Sequence, residues 1–462
     1  MKLRFIYTAI LIAISWVVTA QTTPKYVFYF IGDGMGFGPV MTTQAYNRDV
    51  LKSERPLLMM QFPVVSWCMT YSANSPITDS AAAGTALSTG FKTNNSMLGV
   101  TPDSLAVTSI AREFKNRGYG VGIVTSVAPD DATPGAFYAH VPSRSRYYDI
   151  DIQAAESGYE FMAGAGLRGL VDENNVPNDV EETMARSGVQ LVYGLEGMKE
   201  MKSDRVFLLN PKDKPNYNIG YTIDSIAGSL TLPVMTQACL DHLVATTPDS
   251  FFMMVEGGNI DHALHGNDGG AALKEILNFD QSIAIAYDFY LRHPEETLIV
   301  VTADHDTGGM ANVYSKIKIP NPLSVFDYQR VSKEEFSNYC KAMLRSRRVY
   351  RWEDMQEYLE DNLGLFSHVP VNEETLGDLQ EMFDDTFKLR NSIDQKTLYA
   401  NFNAFAVEVF RLVNDAAGVA FTTMSHSGNP VPVFAIGVGA ERFGSLNDNT
   451  EIPKHIRRIA GL

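Results

Sequence analysis

The chain has 462 residues, 45% hydrophobic and 20% charged, and its 38 Lys and Arg against 54 Asp and Glu give a formal net charge of −16. This is the composition of a soluble globular protein, and it excludes a disordered tail, a collagen and a polytopic membrane protein. The acidic balance argues against a nucleic-acid partner, which needs a basic footprint.

Residues 1–20 read as a secretory signal. Lys2 and Arg4 give a cationic start, Phe5–Val18 an apolar run, and Val18-Thr19-Ala20 a small-residue cleavage pattern. The run is short for a membrane span, and no other stretch reaches eighteen uninterrupted apolar residues. The mature chain is therefore expected to be exported, periplasmic or secreted, with no transmembrane span. Loss of Lys2 and Arg4 takes the charge from −16 to −18. Cys68, Cys239 and Cys340 are too few for a disulfide framework and allow at most one bridge.

The first apolar run, Tyr26–Ile31, is followed by Gly32-Asp33-Gly34-Met35-Gly36, where Asp33 ends a strand and glycines let the backbone approach an ion or ligand. The glycines do not make a full dinucleotide pattern. Next, Thr78-Asp79-Ser80-Ala81-Ala82-Ala83-Gly84 places Ser80 at the start of a helix of small residues, capped by Asp79 or Ser80 itself. Free N–H groups and the positive end of the helix dipole there favour an anion and an alkoxide. No histidine adjoins Ser80 and no Gly-x-Ser-x-Gly elbow is present, so its activation has to come from metal.

A helix is predicted over Ser104–Arg117, closed by Gly118, and then a strand over Gly120–Thr125. Asp130-Asp131-Ala132-Thr133-Pro134 follows with oxygens suited to magnesium, and Arg144 offers a planar fork for two phosphate oxygens. Residues 145–245 are weakly patterned. The strand Ser250–Val255 runs into Glu256, and Asp261 and His265 are four positions apart, which places both on one helical face suited to zinc. A long helix is predicted over Gly270–Arg292. The strand Thr297–Thr302 leads to Asp304 and His305, an adjacent pair able to serve two metal ions. Residues 311–424 are charged, aromatic and helical in period, and read as an insertion or cap. His426 precedes a last strand, Val431–Val438.

Apolar runs alternating with helices and short Gly-rich turns predict an α/β fold: a three-layer sandwich with a central, mostly parallel sheet flanked by helices, plus the large insertion. Residues 21–462 are expected to form one such domain, with 311–424 as its cap. Ligands of open α/β sheets bind beyond the carboxyl ends of strands, where these motifs would converge.

Taken in order, the motifs resemble the alkaline phosphatase family: Asp-Gly after the first strand, Thr-Asp-Ser-Ala-Ala, Asp-Ala-Thr-Pro with a downstream Arg, Glu-Gly…Asp…His, Ala-Asp-His and His-Ser-Gly. The likeness runs from about Tyr26 to Thr307 and from His426 to Gly439, without 311–424 or most of 165–245. It implies hydrolysis of phosphate monoesters with low specificity, Ser80 forming a phosphoserine and inorganic phosphate leaving as product. It also implies two zinc ions and one magnesium ion: zinc on Asp261, His265 and His426; a second zinc on Asp33, Asp304 and His305, coordinating Ser80; and magnesium on Asp33, Thr133 and Glu256, with Asp131 reaching it directly or through water. Arg144 would grip the phosphate. His262 stands where some members carry lysine and others histidine, which bears on magnesium affinity and the pH optimum. Dimerisation is suggested by the family alone. A phosphodiesterase or sulfatase relative shares the sheet and two-metal layout, but Arg144, the magnesium set and Ser80 argue against it. A non-catalytic zinc scavenger leaves Ser80 and Arg144 unexplained.

Overall fold

The computed structural model describes residues 23–172, 174–214, 217–315, 317–346 and 348–462. The expected signal at 1–20 lies outside the described residues. Fifteen strands are found among those described: β1 (Tyr26–Gly32), β2 (Val64–Cys68), β3 (Gly120–Thr125), β4 (Phe161–Gly164), β5 (Gln190–Tyr193), β6 (Val206–Leu209), β7 (Phe251–Glu256), β8 (Thr297–Ala303), β9 (Asp306–Thr307), β10 (Ala311–Asn312), β11 (Asp394–Lys396), β12 (Asn401–Asn403), β13 (Val419–Ala420), β14 (His426–Ser427) and β15 (Val431–Gly437).

Nine of them form one sheet in the order β2-β15-β8-β1-β7-β3-β4-β6-β5. β8, β1, β7, β3, β4, β6 and β5 run parallel, whereas β15 is antiparallel to both β8 and β2. The large sheet is thus mostly parallel and flanked by helices, as the alternation predicts. β1, β3, β7 and β8 are buried along their whole length, because helices cover both faces and leave no side for a polar residue.

The predicted strand positions hold to within a residue or two, with two informative departures. Residues 145–245, weak in pattern, supply β4, β5 and β6, the outer parallel wing of the sheet. These strands are only four residues long, too short for a clear period. The predicted helix Ser104–Arg117 begins later, at Ile110, where Ser109 Oγ accepts the Arg112 N–H at 3.2 Å. Ser104 itself has φ of 64°, outside any right-handed helix. The long helix spans Gly269–Arg292, with Asp268 accepting the Ala271 N–H at 3.0 Å. All three cysteines are free and buried, so the single bridge allowed by their number does not form.

Parallel register aligns the strand ends that carry chemistry. Ile31 faces Glu256 on one side and Thr302 on the other, and Thr125 faces Glu256. The residues just past β1, β3, β7 and β8 therefore open onto one crevice. β9 pairs with β14, which brings His426 to the same edge.

Candidate active site

Ser80 is the first residue of the helix Ser80–Thr89. Asp79 is its N-cap, accepting the Ala82 N–H at 3.0 Å, which settles which of the two residues caps. The small residues of that helix admit a close neighbour: a Cβ on Gly84 would lie 3.1 Å from Thr133 Cα, so the short helix Ala132–Gly135 packs directly on it. Ser80 Oγ, buried, lies 3.1 Å from His305 Nε2.

Three imidazoles converge on the crevice. His265 Nδ1 lies 2.7 Å from the Met424 carbonyl, and His426 Nδ1 lies 2.8 Å from the Thr78 carbonyl. A carbonyl only accepts, so both rings carry their proton on Nδ1 and present Nε2 as a bare lone pair. The two Nε2 atoms are 3.1 Å apart, an approach that lone pairs resist unless a cation lies between them. His265 Nε2 is also 3.3 Å from Asp261 Oδ2, and His426 Nε2 is 3.9 Å from Asp261 Oδ1. Thr307 Oγ1 donates to Asp261 Oδ1 at 2.5 Å, which fixes the carboxylate.

On the other side, His305 Nε2 lies 3.5 Å from Asp33 Oδ1 and 3.2 Å from Asp304 Oδ2. Asp304 Oδ1 accepts the N–H groups of Gly34 and His305, at 3.0 and 2.9 Å. Ligand atoms of Asp33, Asp304 and His305 lie within 4.8 Å of one another, and so do those of Asp261, His305 and His426. His305 therefore stands in both groups, as the pair Asp304-His305 allows, where the family likeness assigned it to one. Oδ1 of Asp33, Oδ2 of Asp261 and Oε1 of Glu256 are buried without a hydrogen-bond partner. Burial, with Asp304, Asp261 and Glu256 close by, pushes the Asp33 carboxyl well above its ordinary value. Unpartnered acceptors packed this densely, with imidazole lone pairs turned inward, fit divalent cations.

Glu256 and Thr133 lie beside this group. Thr125 Oγ1 donates to Glu256 Oε2, Thr133 Oγ1 donates to Asp304 Oδ2 at 3.4 Å, and burial pushes Glu256 up to about 8. Asp131 Oδ1 accepts from Arg144 Nη2 at 2.9 Å, and its Oδ2 is 2.9 Å from Arg168 Nη2. Burial opposes the Asp131 charge, but Arg168 and Arg144 outweigh it and hold the carboxyl below its usual range. Arg144 Nη1 also reaches Asp79 Oδ2 at 3.5 Å. The two carboxylates hold its two terminal nitrogens.

Every residue expected at the site (Asp33, Ser80, Asp131, Thr133, Arg144, Glu256, Asp261, His265, Asp304, His305 and His426) lies in this one neighbourhood. Three further residues do as well. Arg168 pairs with both Asp130 and Asp131, Thr307 holds Asp261, and Tyr399 packs on His262 with ring centroids 3.9 Å apart. Thr307 was legible, two residues past His305. Arg168 and Tyr399 carry no local pattern. His262 is buried and its Nδ1 has no partner; burial lowers it to about 4, so it is neutral.

A sequence profile of the alkaline phosphatase family matches residues 24–169 and 167–462. The match takes in 165–245 and 311–424, which the motif likeness left out. Among characterised relatives, alkaline phosphatase 4 of Bacillus subtilis is 26% identical over 443 residues, covering 94% of this chain and 88% of its own. The human tissue-nonspecific alkaline phosphatase is 28% identical over 410 residues, covering 76% and 77%. Among solved structures, a cold-active alkaline phosphatase from a psychrophilic Shewanella superposes with a TM-score of 0.77 at 26% identity, covering 94% of this chain and 99% of its own.

Proposed function

Because the chain belongs to the alkaline phosphatase family, and is a metal-dependent phosphatase that hydrolyses phosphate monoesters, we propose that it does so with low specificity, through a phosphoserine on Ser80. The observation that carries this reading is a buried serine hydroxyl at a capped helix N-terminus, 3.1 Å from His305 Nε2, with two further bare imidazole nitrogens facing the same space. Two zinc ions, on Asp261, His265 and His426 and on Asp33, Asp304 and His305, and one magnesium ion, on Asp33, Thr133 and Glu256 with Asp131, would offset substrate charge and lower the pKa of hydroxyl and water. Ser80 Oγ then attacks phosphorus, a P–O bond forms and the bond to the leaving alkoxide breaks. Water releases inorganic phosphate from Ser80 in the second half. Arg144, aimed by Asp79 and Asp131, binds two non-bridging oxygens through its fork. The N-terminus of the helix Ser80–Thr89 adds backbone N–H groups and a favourable dipole for the bound dianion.

Residues 21–462 are read as one α/β domain, with 311–424 as its cap. The protein is read as exported, and a homodimer rests on family likeness alone. No helix among the described residues is long and apolar enough to cross a membrane.

The test is Ser80→Ala with metal content measured in parallel. Turnover of an aryl phosphate should vanish while zinc stays bound, and surviving turnover would remove Ser80 as nucleophile. Chelation should abolish activity and added zinc with magnesium restore it. Aryl phosphodiester or aryl sulfate cleavage faster than aryl phosphate cleavage would assign the site to another chemistry.

A further inference from the structure

The turn after β4 reaches the site through one side chain. Gly166-Leu167-Arg168-Gly169 follows that strand, and Arg168–Leu170 makes a single helical turn. The turn is pressed against the helix Tyr147–Glu156. There the Gly169 N–H donates to Asp151 Oδ2 at 3.0 Å, and a Cβ on Gly169 would lie 2.7 Å from the Tyr147 carbonyl oxygen. The same backbone holds Asp130, whose Oδ2 accepts the N–H groups of Arg168 and Gly169 at 2.5 and 3.2 Å. The Arg168 side chain returns to that carboxylate, Nε donating to Asp130 Oδ1 at 3.2 Å. Its guanidinium carbon stands 4.2 Å from the centre of the Tyr147 ring. Fixed at its backbone, at Nε and at the Tyr147 face, the guanidinium sets Nη2 2.9 Å from Asp131 Oδ2.

Charges of alternating sign result: Asp79, Arg144, Asp131, Arg168 and Asp130, each in contact with the next. Asp131 is the shared member. Its Oδ1 accepts from Arg144 Nη2 at 2.9 Å and from the Ala132 N–H at 2.7 Å, and its Oδ2 faces Arg168. Nη2 of Arg168 is buried and close to that oxygen, yet out of line for a hydrogen bond. What passes between the two is charge rather than direction. The Asp131 side chain is 7% exposed, so water and salt screen the pair little. Asp130 draws on two backbone N–H groups and so does not consume the cation by itself. Without Arg168, the Asp131 charge would fall on Arg144, which already serves Asp79. Two carboxylates against one guanidinium would leave a net negative charge where a phosphate dianion has to bind. With Arg168 in place, Asp79, Arg144, Asp131 and Arg168 balance.

We propose that Arg168 is a positioning residue for phosphate binding: held by Asp130 and Tyr147, it neutralises Asp131 and thereby leaves Arg144 free to bind the dianion. The proposal rests on the phosphomonoesterase reading, in which Arg144 grips phosphate. The zinc-loaded protein at saturating magnesium is compared with Arg168→Gln, Asp131→Asn and the double variant. Zinc content, calorimetric binding of inorganic phosphate, and KM separately from kcat on an aryl phosphate are read for each. Arg168→Gln should keep its zinc and bind phosphate about 10-fold more weakly, with a matching rise in KM, on the order of one uncompensated charge near a partly exposed site. Asp131→Asn removes the charge that Arg168 balances, so the double variant should bind phosphate more tightly than Arg168→Gln alone. Phosphate binding within twofold of the parent in Arg168→Gln overturns the proposal. So does a loss that Asp131→Asn fails to reduce, since Arg168 would then act on the fold at large. Should Arg168→Gln not fold, with Asp130 left charged in the core, Asp130→Asn is added to every protein compared and the same two results decide. If the parent fails to turn over aryl phosphate while the phosphate-binding results hold, the catalytic reading falls and the role of Arg168 stands.

Discussion

Gly34 lies between the two proposed metal groups, and Gly34→Ala would disturb both through one methyl. The Gly34 N–H donates to Asp304 Oδ1 at 3.0 Å, and its carbonyl accepts the Thr307 N–H at 3.1 Å. Its φ is +70°, a conformation that costs an alanine about 1–2 kcal/mol. The added Cβ would lie 2.8 Å from Asp261 Oδ1 and 2.9 Å from Thr307 Oγ1. A relaxed carbon–oxygen contact needs about 3.3 Å, so Asp261 or the turn must move by roughly 0.5 Å. Thr307 holds Asp261 at 2.5 Å, so the pair shifts together. Displacing a ligand and its support by this much corresponds to a loss of about 10–100-fold in metal affinity or turnover. Two assays separate the effects. Denaturant unfolding of the chelated protein reads the strain, expected at about 1–2 kcal/mol. Chelator competition and kcat/KM on an aryl phosphate read the displaced carboxylate. A variant within twofold of the parent in both zinc affinity and kcat/KM would refute the placement of Asp261 as a ligand pressed against Gly34.

Other outcomes follow from the same geometry. Arg144→Ala removes the proposed phosphate fork, leaving Asp79 without its cation and Asp131 with Arg168 alone, so KM and the inhibition constant of inorganic phosphate should rise about 100-fold; a change under threefold would remove Arg144 from phosphate binding. Burial raises Glu275 to about 7 from an unfolded value near 4.5, against the 2.6 Å hydrogen bond from the Thr222 N–H. Between those pH values the folded chain binds the extra proton, so this group's contribution to stability falls as pH rises. Urea unfolding should show Glu275→Gln gaining about 1–3 kcal/mol on the parent from pH 5 to pH 8, and parallel pH profiles for the two proteins contradict this. Ser109→Ala removes both an N-cap and a 2.5 Å hydrogen bond to the Phe137 carbonyl, neither of them made by a proposed site residue. It should lower stability by about 1–2 kcal/mol with kcat/KM of the folded protein unchanged.

What the sequence made legible is local. Runs such as Phe28–Ile31 and Ile299–Val301 announce strands buried on both faces, and a parallel sheet then obliges whatever follows them to share one edge. The i,i+4 spacing of Asp261 and His265 likewise needs only a helix, and the helix is there. What stayed hidden depends on distant partners. β5 alternates poorly because it is an edge strand, half open to solvent. Ser104 to Thr108 look helical, yet the start of the helix is set by Ser109, whose hydroxyl also ties to Phe137. Arg168 is one arginine among many until the fold sets it against Asp130 and Asp131. Tyr399 lies in the turn between β11 and β12, and nothing in its own neighbourhood states that it packs on His262.

The pairing of β9 with β14 also has a consequence in time. Ser427 reaches back 121 positions to Asp306 through a 2.5 Å hydrogen bond, and His426 comes with it. A nascent chain can lay down β1, β3, β7 and β8 with their carboxylates long before this third imidazole has been synthesised. Until it arrives the crevice has only two of its three imidazoles, His265 and His305. Such long-range closure also slows folding, since the intervening loop must be ordered before it is rewarded. The pairing of β14 with β9 is thus what brings the third imidazole to the crevice.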